Sequence, residues 1–186
     1  MPSATLSQVG QIVTGINQAG ESGVFDAFYI QIKDLDLEKR ALVAGPTPRV
    51  KRAIAVAEGD LLLAARGERP AVALADPGLF GAYPTLDVYL IRPDTARLDP
   101  AYLAAYLAQE HVIGQLRAST VGVLIPRIPK ADLDDLPIPL PPLERQRAIG
   151  ALAQTVQRER RLLDRLTAAH RHLRERQLAV AFSALK

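Results

Sequence analysis

The sequence predicts an α+β domain over residues 1–141, followed by one long helix over residues 142–186. Two observations carry this prediction. Before residue 99, short apolar runs alternate with turns that contain glycine or proline, which is typical of a sheet. After Pro142, the chain has helical periodicity and no further proline.

The strands are predicted from apolar runs and from the turns between them. Residues 6–15 fit a short strand, or a helix that leads into a strand. Residues 61–65 form a continuous apolar run, which predicts a strand buried on both faces. Glycine predicts turns at residues 43–48 and 58–60. The other predicted strands are residues 27–35, 72–75 and 86–93.

One helix is predicted inside the domain. Asp99 and Pro100 mark its start, because aspartate is a favoured N-cap and proline is tolerated in the first helical turn. Apolar residues at helical spacing continue on one face to about Ala118. Gly114 weakens the last turn. An extended stretch is expected over residues 119–130.

A proline ladder precedes the long helix, with prolines at positions 137, 139, 141 and 142. Proline fixes φ and disfavours helix in the residue before it, so the ladder should be extended and the helix should begin at Pro142 or just after it. About 45 helical residues would span roughly 65 Å. Gly150 is the weak point of the pattern. A helix this long needs a partner along its length.

The long helix carries one apolar stripe, which we call the apolar seam. Of its ten a and d heptad positions, seven are apolar. The helix can pack along its own domain, or it can bind a second copy or another helical protein, and its length favours association. Glu159, His170 and Gln177 interrupt the seam and can fix its register. The seam residues are Ile149, Leu152, Val156, Leu163, Leu166, Leu173 and Val180.

Composition argues against most kinds of catalytic site. The chain has no cysteine, which excludes disulfides, thiolate nucleophiles and cysteine metal sites. The three histidines lack metal-ligand spacing, and there is no glycine-rich phosphate loop and no Gly-x-Ser-x-Gly elbow. Asp132, Asp134 and Asp135 are interpreted as solvated caps beside a turn. We expect a non-catalytic chain with no metal or cofactor of its own.

Nothing in the sequence predicts membrane contact. Residues 1–20 lack the charged and apolar regions of a signal peptide, and no apolar run approaches 18 residues. A cytoplasmic location is therefore expected.

The net charge of +3 is unevenly distributed. Residues 144–186 contain ten Lys and Arg against four Asp and Glu, whereas the rest of the chain contains thirteen against sixteen. The helix is basic and the domain is not. Local clusters of cations must therefore carry any argument for nucleic-acid binding.

Four segments make the chain resemble the specificity subunit of type I restriction-modification systems, in a half-length form. The most specific is residues 133–149, where the proline ladder closes on Glu-x-Gln-x-x-Ile before a long helix. The others are residues 6–15, residues 56–67 with their Gly-Asp turn, and the helix start at Asp99-Pro100 with the segment running to Ser119-Thr120.

The resemblance implies a mixed-sheet target-recognition domain that binds double-stranded DNA and has no chemistry of its own. In this family, paired long helices hold two recognition domains apart, and each domain reads one half of a split target. The helices dock methyltransferase (modification) subunits, which bring S-adenosylmethionine. Whether a restriction (nuclease) subunit joins is left open.

The sequence departs from this family in one respect. A usual subunit has two recognition domains and two helices in one chain, whereas one of each is present here. A homodimer with antiparallel helices would restore the two-domain arrangement and read a palindromic split site.

Candidates for DNA contact come from cationic and hydroxyl side chains of the predicted loops, because base-reading residues vary within the family. Arginine can bind guanine through two hydrogen bonds, whereas lysine is suited to phosphate. The candidates are Arg49, Lys51, Arg52, Arg66, Arg69, Arg117, Ser119, Thr120, Arg127 and Lys130.

Two other functions stay open at this stage. One is a specificity-like fragment that competes or exchanges with a full-length subunit and prefers heterodimers. The other is a coiled-coil adaptor whose basic helix binds an acidic protein, without a role in DNA targeting. Salt-dependent binding to duplex DNA distinguishes the adaptor from a DNA reader.

Overall fold

The computed structural model describes residues 2–18, 24–67, 70–118 and 127–183. The predicted α+β fold with a long C-terminal helix is confirmed. The strands are β1 (Ser3–Thr5), β2 (Gly10–Thr14), β3 (Ala27–Ile30), β4 (Val43–Gly45), β5 (Leu61–Ala64), β6 (Val72–Leu74), β7 (Tyr83–Pro84), β8 (Val88–Pro93) and β9 (Pro137–Pro139). The α-helices are α1 (Leu6–Val9), α2 (Pro100–Leu107), α3 (Glu110–Ala118), α4 (Lys130–Asp134) and α5 (Leu143–Ser183).

A four-stranded antiparallel sheet in the order β2-β8-β5-β6 forms the centre of the domain. Its register places Leu61 opposite both Ile91 and Leu74. Successive side chains of β5 point to opposite faces. Leu61 and Leu63 pack with α1 to α4, whereas Leu62 packs in a second core with β3. Both faces are buried, which explains the continuous apolar run.

A three-stranded sheet in the order β4-β3-β7 lies on the side of that second core. β3 pairs antiparallel with β4 and parallel with β7, so this sheet is mixed, as expected. The predicted turn over residues 43–48 is wrong at its start, because residues 43–45 pair with β3.

The strand predicted over residues 27–35 ends early. A 3-10 helix, Ile32–Leu35, follows β3. The 3-10 turn forms because of Asp34, which is fully buried. The Asp34 carboxylate accepts hydrogen bonds of 2.8 Å from the backbone N–H groups of Gln31 and Ala41. A buried carboxylate needs such donors, and the 3-10 turn supplies one of them.

The helix predicted over residues 100–118 is in fact two helices. Asp99 caps α2 as predicted, and its Oδ1 accepts a 2.9 Å hydrogen bond from Tyr102 N. Gln109 N then donates a 3.0 Å bond to Tyr106 O, which tightens and ends the last turn of α2 before α3 begins. No glycine or proline marks this break in the sequence.

The predicted turn at residues 58–60 is confirmed, and it ties β5 to β8. Gly59 has a φ of 83°, a conformation that favours glycine. The buried Asp60 carboxylate accepts a 2.8 Å bond from Ala57 N and pairs with both Nε and Nη2 of Arg92 at 2.7 Å. Such a two-point pair fixes the relative position of the strands.

The proline ladder is extended, as predicted, and leads directly into α5. β9 pairs antiparallel with β1, with Pro139 opposite Ser3. α5 begins at Leu143, and its 41 residues span about 60 Å.

Candidate nucleic-acid interface and association helix

Several loops meet at one end of the four-stranded sheet. β2 and β5 end there, and β6 and β8 begin there, as the antiparallel register requires. These loops border a cleft of about 480 Å³. Its polar lining includes Asn17, Gln18, Gln31, Arg66, Asp87 and Arg127. Amide and guanidinium groups of this kind suit both base edges and phosphates.

Two of the predicted DNA contacts, Arg66 and Arg127, lie together in this cleft. Their backbones form an isolated antiparallel bridge. Arg127 Nη1 lies 3.1 Å from Asp87 Oδ1, and Arg127 Nη2 donates a 2.8 Å hydrogen bond to Leu86 O. The same guanidinium lies over the Tyr89 ring, 5.4 Å from its centroid. Arg127 is therefore held in one orientation.

Arg66 is held less completely. Its Nε lies 3.0 Å from Asp87 Oδ1, as an ion pair. The contact lacks hydrogen-bond alignment, so this buried nitrogen has no hydrogen-bond acceptor among the residues that the structure describes. Two guanidinium groups share one carboxylate, which leaves positive charge at this end of the sheet.

Three further predicted contacts lie on the exposed loop after β4. Thr47 N donates a 2.8 Å hydrogen bond to Asp26 Oδ1, which holds this loop beside the segment before β3. Hydrogen bonds from the side chain and backbone of Thr47 lower the pKa of the Asp26 carboxyl. Val24 and Phe25 of that segment are exposed. The cations of the loop are Arg49, Lys51 and Arg52.

The remaining predicted contacts are not brought together with these. Arg117 lies in the last turn of α3. Lys130 Nζ lies 2.7 Å from both carboxylate oxygens of Asp134 within α4, so its charge is already paired. Arg69, Ser119 and Thr120 lie outside the described residues.

Gln146 anchors the start of α5 to the domain. It is 1% exposed, and its side chain makes three hydrogen bonds. Nε2 donates to Arg97 O at 3.0 Å and to Pro141 O at 2.8 Å, while Oε1 accepts from Asp99 N at 2.9 Å. A fully bonded buried amide sets both the position and the rotation of the helix.

Gly150 lies one turn further along α5, at its closest approach to α2. An added Cβ would lie 2.8 Å from Ala101 Cβ and from Tyr102 N, and 2.9 Å from Asp99 Oδ1. Gly150 was expected to be a weak point of the helix, but it is the residue that lets the two helices touch.

Two tyrosines of α2 hold the proline ladder. Tyr102 donates a 2.9 Å hydrogen bond to Pro139 O, and Tyr106 donates a 3.0 Å bond to Pro137 O. Burial raises the pKa of both hydroxyls, so they stay protonated and able to donate. The ladder thus enters α5 in a fixed direction.

Beyond the anchor, the polar face of α5 turns toward its own domain. Arg165 Nε lies 3.6 Å from Glu38 Oε1. The hydrogen bond from Arg40 lowers the pKa of Asp76, and the charge of Arg161 lowers it further. Together with β6 and residues 35–40, this face borders a cleft of about 740 Å³. The helix residues along it are Gln154, Gln157, Arg158, Arg161 and Asp164.

The apolar seam points away from the domain. All seven of its residues are exposed, from 38% for Ile149 to 68% for Val180. Leu162, Leu178 and Phe182 are exposed as well. The seam therefore does not pack along its own domain, which removes one of the two interpretations of the stripe.

The described residues contain no group of three or more His, Asp or Glu side chains that could hold a metal ion. No helix in the same part of the chain is long and apolar enough to cross a membrane.

Sequence reasoning missed the residues that position these sites. Gln146 stands in the segment that carried the family resemblance, but its buried position could not be read from its polar type. The only sequence signal for Asp87 was its position, as a single acidic residue directly before an apolar strand. Gly150 could have been found as a glycine within a long helix, since such glycines often mark close packing.

Comparison with solved structures finds proteins of type I restriction-modification systems. The chain matches one from a study of complex assembly and conformational transition of the type I R-M system, with 25% identity, a TM-score of 0.67, and coverage of 90% of this chain and 44% of that one. It shares the fold of the HsdS subunit from Thermoanaerobacter tengcongensis, with 24% identity, a TM-score of 0.66 and the same coverage. The S subunit from M. genitalium is more distant, with 16% identity, a TM-score of 0.53, and coverage of 81% and 37%.

The chain thus spans less than half the length of these proteins. No curated protein sequence matches it. A family model, the type I restriction modification DNA specificity domain, matches residues 23–168. This match covers most of the domain and α5 as far as residue 168. Because the matched residues make up well over half of the chain, the chain belongs to the type I restriction modification DNA specificity family.

Proposed function

We propose that this chain is a DNA-recognition subunit of a type I restriction-modification system, with one recognition domain per copy, and that it acts as a homodimer through α5. The observation that carries the proposal is the orientation of α5. Its polar face is fixed to the domain by Gln146 and Gly150, so its apolar seam is offered to another helix. A second copy is the simplest partner, because it supplies the second recognition domain.

The cleft at the loop end of the sheet is the proposed base-reading site. Arg127, oriented by Asp87 and Tyr89, presents a fixed guanidinium. The Arg66 guanidinium, whose Nε makes an ion pair with Asp87 but no aligned hydrogen bond, would bind a guanine edge. Arg49, Lys51 and Arg52 on the exposed loop suit phosphates. The remaining predicted contacts stay predictions.

The chemistry in this proposal belongs to partners. A methyltransferase subunit would dock on the paired helices and carry S-adenosylmethionine, and whether a restriction subunit joins the same assembly is left open. The chain itself would contribute target choice and no catalytic group. The assembly would work on cytoplasmic DNA.

The test begins by co-expressing the chain with a modification subunit and mapping the methylated sequence. Binding of Arg66→Ala is then measured on target and on random duplex at one salt concentration. A lost guanine contact weakens target binding about five- to 150-fold, corresponding to about 1–3 kcal/mol, and leaves random binding nearly unchanged. Lys39→Ala is the control, because this cation is paired with Asp36, does not line the cleft and is not a predicted DNA contact.

Three results would count against the proposal. Equal losses on both duplexes would make Arg66 a phosphate contact. No loss would remove the cleft from the interface. Absence of any salt-dependent DNA binding by the wild-type chain would leave the coiled-coil adaptor as the better account.

A further inference from the structure

We infer that the antiparallel pair of α5 helices has one register, in which Glu159 of each copy faces His170 of the other. This inference rests on the homodimer proposed above and adds the partner's alignment to it. It uses the heptad positions of the seam, the exposure of its residues and the face by which α5 is anchored.

The seam is self-complementary when one copy is reversed. An antiparallel coiled coil sets each a position against a d position of the partner. When Leu163 is aligned with Leu166 of the second copy, the other a and d positions of the seam also face each other. Each layer occurs twice in the dimer, and the layers are Ile149 with Val180, Leu152 with Gln177, Val156 with Leu173, Glu159 with His170, and Leu163 with Leu166.

The two ionisable seam residues select this register. A parallel pair would set Glu159 against Glu159 and His170 against His170, which brings like groups together. An antiparallel shift of one heptad sets Glu159 against Leu163 and His170 against Leu152. A shift the other way sets Glu159 against Gln177 and His170 against Leu166. Glu159 faces His170 only in the proposed register, and polar a and d residues are known to fix alignment in this way.

The positions beside the seam agree with the same register. In antiparallel pairs, e positions flank e positions and g positions flank g positions. Here the flanking pairs never set arginine against arginine. Between the outermost layers they are Ala153 with Arg174, Arg160 with Thr167, Thr155 with Arg176, and Leu162 with Ala169. The last pair covers Leu162, which is 58% exposed in the single chain.

The anchored face of α5 leaves room for the partner. At 3.6 residues per turn, Gln154 and Arg161 lie roughly half a turn away from the seam, and Gly150 lies roughly a third of a turn away. Contacts with the chain's own domain reach Arg165, and residues 166–183 are exposed. In the proposed register this exposed half of each helix covers the anchored half of the other.

Cysteine cross-linking tests the register, because the chain has no cysteine of its own. Val156→Cys with Leu173→Cys should give a covalent dimer as the main product of mild oxidation. The two positions lie about 25 Å apart within one helix, too far for a disulfide inside one chain. Two control pairs report the shifted registers: Val156→Cys with Leu166→Cys, and Val156→Cys with Val180→Cys. Val156→Cys alone reports a parallel pair.

The outcomes separate the register from the homodimer itself. At least a fivefold excess of dimer from the 156/173 pair over each control supports the inference. Predominant cross-linking of a control pair, or of Val156→Cys alone, overturns the register while the homodimer stands. A monomeric wild-type chain with no cross-linking in any variant overturns both.

A charge exchange tests the Glu159–His170 contact in the dimer. Glu159→Lys sets a cation against His170 and should raise the dissociation constant of the dimer at least tenfold. Adding His170→Glu should recover most of that loss. A double variant no better than Glu159→Lys would show that the two positions do not face each other.

Discussion

The two faces of α5 differ in a way that reverses the usual amphipathic helix. A surface helix ordinarily turns its apolar stripe to the core and its polar face to water. Here the polar face meets the domain through the bonded amide of Gln146 and through Gly150, whereas Leu163 and Leu166 are more than half exposed. α5 therefore has two contact faces, one fixed to the domain by hydrogen bonds and one exposed for burial by association.

The largest predicted effect comes from breaking the apolar face. Leu163→Asp with Leu166→Asp places four carboxylates at the centre of the dimer. Each lost leucine removes about 1.5–3 kcal/mol of burial, so the dissociation constant should rise on the order of a thousandfold or more, as measured by sedimentation equilibrium. The recognition domain should stay folded by circular dichroism, because neither leucine contributes to its core.

Ala168→Asp with Ala179→Asp is the matched control for that variant. It adds the same charge to exposed positions of α5 outside the seam and should leave the dimer nearly intact. Equal dissociation of both variants would mean that charge, and not the seam, governs association.

The next largest effect comes from breaking the polar face. Gly150→Ala forces a Cβ against Ala101 and Tyr102, and should lower the free energy of unfolding by about 1–3 kcal/mol in urea titrations. Gly114→Ala is its matched control. An added Cβ there meets nothing within 4 Å in the described part of the chain, so helix propensity should raise the stability by up to about 1 kcal/mol. Stabilisation by both substitutions would contradict the close approach of α5 to α2.

A smaller effect tests the charges beside the polar face. The hydrogen bond from Arg40, with a contribution from Arg161, lowers the pKa of Asp76 in the folded chain. A lowered folded pKa gives stability that is fully present above the unfolded value, about 3.9, and is lost as pH falls through the folded value. The wild type should therefore lose stability on acidification below about pH 4, and Asp76→Asn should lose less. Thermal unfolding at each pH measures both losses. Parallel pH profiles of the two proteins would contradict the role of this carboxyl.

Much of the fold could be predicted, because several elements have local causes. Asp99 and Pro100 start α2, the proline ladder ends in α5, and the apolar run of β5 marks a strand covered on both sides. The failures have long-range causes. β3 ends early because the Asp34 carboxylate bonds across a loop to Ala41 N, and β4 forms because β3 is there to pair with it.

The candidate sites were predicted less completely, for the same reason. Residue type pointed to Arg66 and Arg127, but not to Asp87, which lies 40 residues before Arg127 in the sequence and contacts both arginines. Heptad spacing correctly predicted that the apolar residues of α5 form one stripe, the apolar seam. The direction in which the seam points depends on Gln146, whose three partners lie at residues 97, 99 and 141.

The mass of the purified wild-type chain in solution reports whether the apolar seam pairs two copies. We expect a stable particle of twice 20.2 kDa at micromolar concentration. We also expect that this particle captures a methyltransferase subunit as a defined complex. A chain that stays at 20.2 kDa at every concentration measured would contradict pairing through the apolar seam.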